Sequence, residues 1–199
     1  WRDGPSFRRC TENPMDSGRG AQLSDMCAVF CGGWDSFGLP SRRSYALPMA
    51  GAADQQPAWR PAAKMTNARM RHGAAAVGAA VDASAYRLIV CGGGDNCDSL
   101  DCCEQWDAHQ DRWTMLDAQL PFEARECQLT PLGTGGSDVL SVMCRSGKQA
   151  TALLDVRSRA TISPPLAPPL GWRSSFTLTA IAEHSAVLVG GCTREAEPQ

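Results

Sequence analysis

No apolar run in this chain approaches the ~20 residues a membrane span needs. The longest, around Gly73 to Val81, is mostly Ala and Gly, so no membrane partner is expected. Charge of one sign is also missing. The formal net charge is −2, which gives no basic field to hold nucleic acid or anionic lipid. The N-terminus, Trp1-Arg2-Asp3-Gly4, carries no charged-then-apolar leader, so no signal peptide is expected in it. It does not start with Met, and the chain reads as a processed product or an excised piece. No apolar periodicity of 3.6 residues persists over a helix length. There is no Ser-His-Asp order, no H-E-x-x-H and no phosphate loop. Gly92-Gly93-Gly94 follows an apolar run but opens no helix, so phosphate cradling is not expected.

Glycine (19) and proline (13) are plentiful and spread along the 199 residues. That distribution favours many short elements joined by turns. With 43% hydrophobic and 20% charged residues, the chain has the composition of a folded protein and is long enough for a substantial core. Ten cysteines raise the possibility of disulfides. Cys31 and Cys91, however, each end an apolar run just before Gly-Gly, where a small buried residue fits. Most cysteines are read as free thiols, and the compartment as reducing and cytoplasmic. Cys91, Cys97, Cys102 and Cys103 cluster without a C-x-x-C pair or a zinc-type His spacing. No metal or cofactor is expected from them.

The chain repeats itself. An apolar run ending in Gly-Gly occurs as Met26 to Gly33, as Tyr86 to Gly93 and as Ser185 to Gly191. Gly92 lies 60 residues after Gly32, and Gly190 lies 98 after Gly92, which is two steps of 49. The midpoint holds a worn copy, Val139 to Cys144 followed by Arg145-Ser146-Gly147. Tryptophan keeps step: Trp59 and Trp113 follow a Gly-Gly by 26 and 20 residues, Trp1 sits 58 before Trp59, and the third slot falls near Ile162. Between the markers the pattern is strand-like. Leu100 to Trp106 precedes a polar loop from Asp107 to Arg112. Trp113-Thr114-Met115-Leu116 alternates before Pro121, and Gly73 to Gly78 is a small apolar strand. Each unit reads as four short strands, the sheet of one propeller blade.

The second unit runs Met65-x3-Arg69-x-Arg71-His72-Gly73, then Tyr86 to Gly93, then Ser99-Leu100-x3-Glu104-x-Trp106-Asp107-x5-Trp113. It resembles the kelch repeat, with Trp106 where Tyr is usual. The match is weaker in units one and four and poor in unit three. The resemblance implies an all-β, kelch-type β-propeller with about three full four-stranded blades and partial blades at each end. The blades would span about 18–64, 65–118, 119–164 and a partial 165–199, with 1–17 the tail of a preceding blade. A closed ring takes roughly four to eight blades, so the count falls short and leaves open edges. The expectation is a piece of a longer propeller. A ring completed by a second copy or another chain, and a small four-blade ring, are the alternatives.

The resemblance also implies a non-catalytic protein-interaction module. In the family, an Arg before the small apolar strand often lines the partner face. That position is Arg71 here, with Arg125 and Arg173 by alignment to the strand starts and Arg19 less surely. Such a ring of arginines would suit an acidic peptide or protein, unless these are solvated turn arginines. The loops after Gly-Gly are a second candidate, with Trp34, Asp35, Phe37, Arg42 and Arg43 in unit one and Asp95 and Asn96 in unit two. Aromatics beside Arg make interface anchors, although Trp34 and Phe37 could instead pack on a neighbouring blade. By family analogy the module could recruit substrates for a ubiquitin ligase or act as a scaffold subunit of a larger assembly. The rival class is a galactose-oxidase-like copper enzyme on a kelch-like propeller, for which only Tyr45, Tyr86, His72, His109 and His184 are on hand.

Overall fold

Short apolar runs broken by Gly, Pro and Asp build strands, and among the described residues they build thirteen. The computed structural model describes residues 17–24, 27–48, 58–78, 87–132, 139–146, 148–158, 160–161, 173–182 and 185–193. Trp1, Tyr86, Ile162 and His184 lie outside them. The first four strands, β1 (Arg19–Ser24), β2 (Cys27–Cys31), β3 (Ser44–Pro48) and β4 (Arg60–Ala62), pair in chain order as one antiparallel sheet. Next come β5 (Gly73–Val77), β6 (Arg87–Cys91), β7 (Leu100–Asp107), β8 (Arg112–Leu132), β9 (Val139–Ser146), β10 (Lys148–Asp155) and β11 (Ala160–Thr161), joined as a seven-stranded meander. Finally β12 (Arg173–Ala182) and β13 (Ser185–Thr193) form a hairpin, with β12 running beside β8.

The seven strands are two four-stranded sheets sharing β8. Its first half pairs with β7, from Asp107↔Arg112 to Leu100↔Ala124. Its second half pairs with β9, from Arg125↔Arg145 to Leu132↔Val139. The sequence placed a break near Pro121, yet the strand runs through it. Pro121 is exposed, and the β7–β8 register shifts between Leu100 and Glu104. An irregular, outward-facing position is where a strand tolerates a residue without an N–H.

The core forms in the wedges between successive sheets. β6 alternates strictly: Leu88 and Val90 face the first sheet, packing with Val29, Cys31, Ala46, Met65, Trp106 and Trp113. Ile89 and Cys91 face the other way, onto Cys103, Leu129, Leu140 and Val142. Leu88, Ile89, Val90 and Cys91 all have 0% exposure, which explains why this strand reads as an unbroken apolar run. Each large aliphatic residue so buried contributes roughly 1.5–3 kcal/mol. Trp113 fills the wedge as expected of a last-strand tryptophan, and its Nε1 donates to the Ala63 carbonyl at 2.9 Å. Asp111 adds a tie to the same segment, its Oδ1 accepting from the Ala63 N–H at 2.9 Å and Trp106 Nε1 at 3.0 Å.

The paired glycines do what their position requires. Gly32 and Gly33 have φ of 65° and 92°, and Gly92 and Gly93 repeat this at 64° and 90°. A Cβ on Gly32 would stand 2.5 Å from the Arg69 carbonyl oxygen, and one on Gly93 would stand 2.6 Å from that of Met70. Gly32 presses against the segment leading into the next sheet's first strand and Gly93 against the segment leading into the first strand of its own sheet, so a side chain fails on both conformation and space. Backbone bonds then stitch sheet to sheet: Gly33 N–H donates to Arg69 O at 2.9 Å, and Gly93 N–H to Ala124 O at 2.7 Å.

Candidate partner-binding surface

The Gly-Gly turns bring two loops to one end of the sheets. After Gly33 the chain makes a tight loop stapled by Asp35, whose Oδ1 accepts from the N–H groups of Phe37 and Leu39, both at 2.9 Å. Trp34 and Pro40 close it as a bridge. After Gly93 the same design recurs. Asp95 Oδ1 accepts from Cys97 N–H at 3.0 Å and Asp98 N–H at 2.9 Å, and Gly94 bridges Ser99. The Asp98 and Cys97 N–H groups, with help from the nearby Arg125 charge, hold the Asp95 carboxyl below the usual range. Two of the expected site residues, Asp35 and Asp95, are therefore committed to building the loops.

What the loops present is apolar. A groove of about 330 Å3 runs between them, lined by Leu39, Pro40, Ala68, Asp95, Asn96 and Cys97. In the first loop Phe37 is 85% exposed, and the groove-lining Leu39 47%. Trp34, by contrast, is half-buried. Leu39, Pro40 and Ala68 were not singled out by the sequence. The available signal was an apolar Leu-Pro within a polar loop directly after a glycine pair.

The arginines sit at the same end but do not form a uniform series. Arg71 is exposed and left-handed, with φ of 53°. Its N–H donates to Ser17 O and its carbonyl accepts from Cys127 N–H, both at 3.0 Å. The left-handed residues at the neighbouring strand starts are Ser17 (φ 59°) and Glu126 (φ 54°). Arg125 and Arg19 are not in that position. Arg71 reaches Glu126 at 3.4 Å, a half-exposed ion pair of small energetic consequence. Arg125 is exposed and turns to the second loop, its Nη2 donating to the Cys97 carbonyl at 3.4 Å. Arg173 starts β12, opposite Thr193, and its side chain lies outside the described residues.

Beneath the surface sits a buried polar layer. Arg69 and Glu104, both with 0% side-chain exposure, pair at 2.6 Å. Glu104 also accepts from the N–H of Thr66 at 2.6 Å and of Asn67 at 3.0 Å. Arg69 Nη1 donates to the carbonyls of Gly92 at 2.7 Å and Cys102 at 3.2 Å. Burial opposes the Arg69 charge, but Glu104 outweighs it and holds the guanidinium pKa above its usual value. His72 is fully buried, its Nε2 lying 3.5 Å from Cys31 Sγ. Burial first, then the charges of Arg69 and Arg19, push its pKa well below the usual value and keep the ring neutral. Burial pushes the Cys31 thiol up to about 12. Tyr45 is buried in β3, and His109 is exposed in the β7–β8 turn. Among the described residues no three of His, Cys, Asp or Glu come together as a metal site. Among them no helix is long and apolar enough to cross a membrane.

Residues 70–117 match the family model for the kelch motif. They cover β5, β6, β7 and the start of β8. No curated protein matches the chain. Among solved structures, one described as "Structure of YjhT" superposes with a TM-score of 0.63 at 14% identity, over 85% of this chain and 56% of that one. The chain thus spans just over half the length of that structure. With a kelch motif in its central sheet and this likeness around it, the chain folds as a kelch-type β-propeller.

Proposed function

We propose that this chain is a protein-interaction module whose partner seats in the groove between the two post-Gly-Gly loops. The observation that carries the reading is the coincidence of an exposed Phe37 with a neighbouring groove lined by Leu39 and Pro40. The loops that hold them are rigidly stapled by Asp35 and Asp95. An aromatic anchor on a preorganised loop loses little entropy on binding. Arg125, whose guanidinium reaches the groove-lining Cys97, favours a partner segment that places an acidic residue next to an apolar one, and Arg71 adds a second cation at the same end of the sheets. Trp34 and Asn96 complete the face. A substrate-recruiting role in a ubiquitin ligase rests on the family resemblance. The eight cysteines whose side chains are described are free thiols, which favours a reducing, cytoplasmic setting.

The test is binding of a panel of labelled peptides pairing Asp or Glu with Leu or Phe, followed by fluorescence polarisation. Phe37→Ser and Leu39→Ser should each weaken the best binder at least ~10-fold, the loss of a hot-spot anchor. Arg125→Glu should weaken acidic peptides selectively. Gln110→Glu, in the exposed turn at the opposite end of the sheets, should leave affinity unchanged. Equal affinity for all four variants would rule out the groove.

A further inference from the structure

The core between the second and third sheets gathers four buried cysteines, Cys91, Cys103, Cys127 and Cys144. Two of them are in a special relation. Cys91 on β6 and Cys103 on β7 are direct cross-strand partners. The Gly92 N–H donates to the Cys102 carbonyl at 3.1 Å. That bond joins the residue after Cys91 to the residue before Cys103. The two cysteines therefore occupy a non-hydrogen-bonded pair, the site in an antiparallel ladder where opposite side chains come closest. Their Cα atoms there are about 4.5 Å apart, inside the ~4.4–6.8 Å range of disulfides. Directly opposed residues also point to the same face, and both side chains have 0% exposure. Cys102, one residue away, points to the other face, where it meets Asn67 and Arg69.

We propose that Cys91 and Cys103 are a disulfide-forming pair, reduced in the structure, that closes when a small-molecule disulfide is the oxidant. The Cys91 thiolate attacks one sulfur of the oxidant and expels a thiolate. The Cys103 thiolate then attacks the Cys91 sulfur of the mixed disulfide and expels the second. Two cysteine thiols become one S–S bond, and the oxidant leaves as two thiols. Burial raises the Cys91 thiol, with the hydrogen bond to Cys103 adding to it, so exchange requires opening of the β6–β7 hairpin and is slow in the folded chain. The bond ties together both ends of the loop that carries Asp95 and Asn96. It would hold that loop closed in an oxidising setting and leave its shape unchanged.

The experiment takes the chain through unfolding and refolding in a buffer of oxidised and reduced glutathione, then traps free thiols with N-ethylmaleimide. Cleavage before aspartate releases Cys91 within 82–94 and Cys103 within 101–106, and mass spectrometry reads the linkage. The expected product is these two peptides joined. The Cys102→Ser chain should keep the link and the Cys103→Ser chain should lose it. Cys91 recovered as free thiol, or linked to Cys127 or Cys144, would overturn the proposal. Because 101–106 also carries Cys102, the mapping on the Cys102→Ser chain decides the matter even where Cys103→Ser fails to refold, and loss of the link in that chain overturns the proposal.

Discussion

Replacing Glu104 by Gln should cost this protein more than any surface charge could. The carboxylate accepts from three donors: Arg69 Nη2 at 2.6 Å, Thr66 N–H at 2.6 Å and Asn67 N–H at 3.0 Å. A carboxamide offers one oxygen for these three and turns an NH2 toward the rest. It also leaves the Arg69 guanidinium buried without a counter-charge. Breaking one side of a buried ion pair costs about 3–5 kcal/mol, against a total stability of about 5–15 kcal/mol. With a urea m-value of roughly 2 kcal/mol/M, the unfolding midpoint should fall by about 1.5–2.5 M with the slope unchanged. The double variant Arg69→Met/Glu104→Met removes both charges. It should recover part of the loss only, because the Thr66 and Asn67 N–H groups stay unpaired at about 1–3 kcal/mol each. Circular dichroism through a urea titration reads both. A midpoint for Glu104→Gln within ~0.3 M of the parent would refute the idea that this carboxylate organises the 65–69 segment.

Two other expectations follow from the same core. Gly93→Ala places a Cβ 2.6 Å from Met70 O at a φ of 90°, so it should lower the midpoint by an amount comparable to Glu104→Gln, whereas Gly38→Ala, with nothing within 4 Å, should cost only the strain of its left-handed backbone. His72 is held neutral by burial and by Arg69 and Arg19. Its folded pKa lies below the unfolded value of ~6.5, so the unfolded chain takes up the proton first. The stability from this group is full above pH ~6.5 and is lost as pH falls below it, by up to ~1.4 kcal/mol per pH unit. Urea midpoints measured between about pH 7.5 and 5 should show this decline, and His72→Gln should flatten it.

Much of the fold was legible in the sequence because a propeller strand carries its own punctuation. The runs before Gly32 and Gly92 end strands, whereas β13 continues through Gly190 and Gly191 to Thr193, and the Gly73 to Val77 stretch is an inner strand, since close approach admits only small residues there. Other features depend on register that no linear pattern encodes. β8 passes through Pro121 because its N–H was not needed. The left-handed position of the third sheet falls on Glu126, one residue past the aligned Arg125, because the β8–β9 pairing shifts between Arg125 and Gln128. The loop acids Asp35 and Asp95 looked like recognition groups and are Asx-turn staples. The Arg69–Glu104 pair joins motif residues 35 apart, and spacing alone does not bring them together. The groove emerges only when loops 60 residues apart in the chain are laid side by side.

The central claim is that successive sheets are stitched through their Gly-Gly turns. Amide hydrogen exchange followed by NMR tests it most directly. The N–H groups of Gly33, Gly93 and Cys127 bond across from one sheet to the next, to Arg69 O, Ala124 O and Arg71 O. They should exchange as slowly as the β6 core amides of Ile89 and Val90, opening only with global unfolding. If these three exchange as fast as the exposed loop amide of Asn96, the sheets are not joined in this way and the account fails.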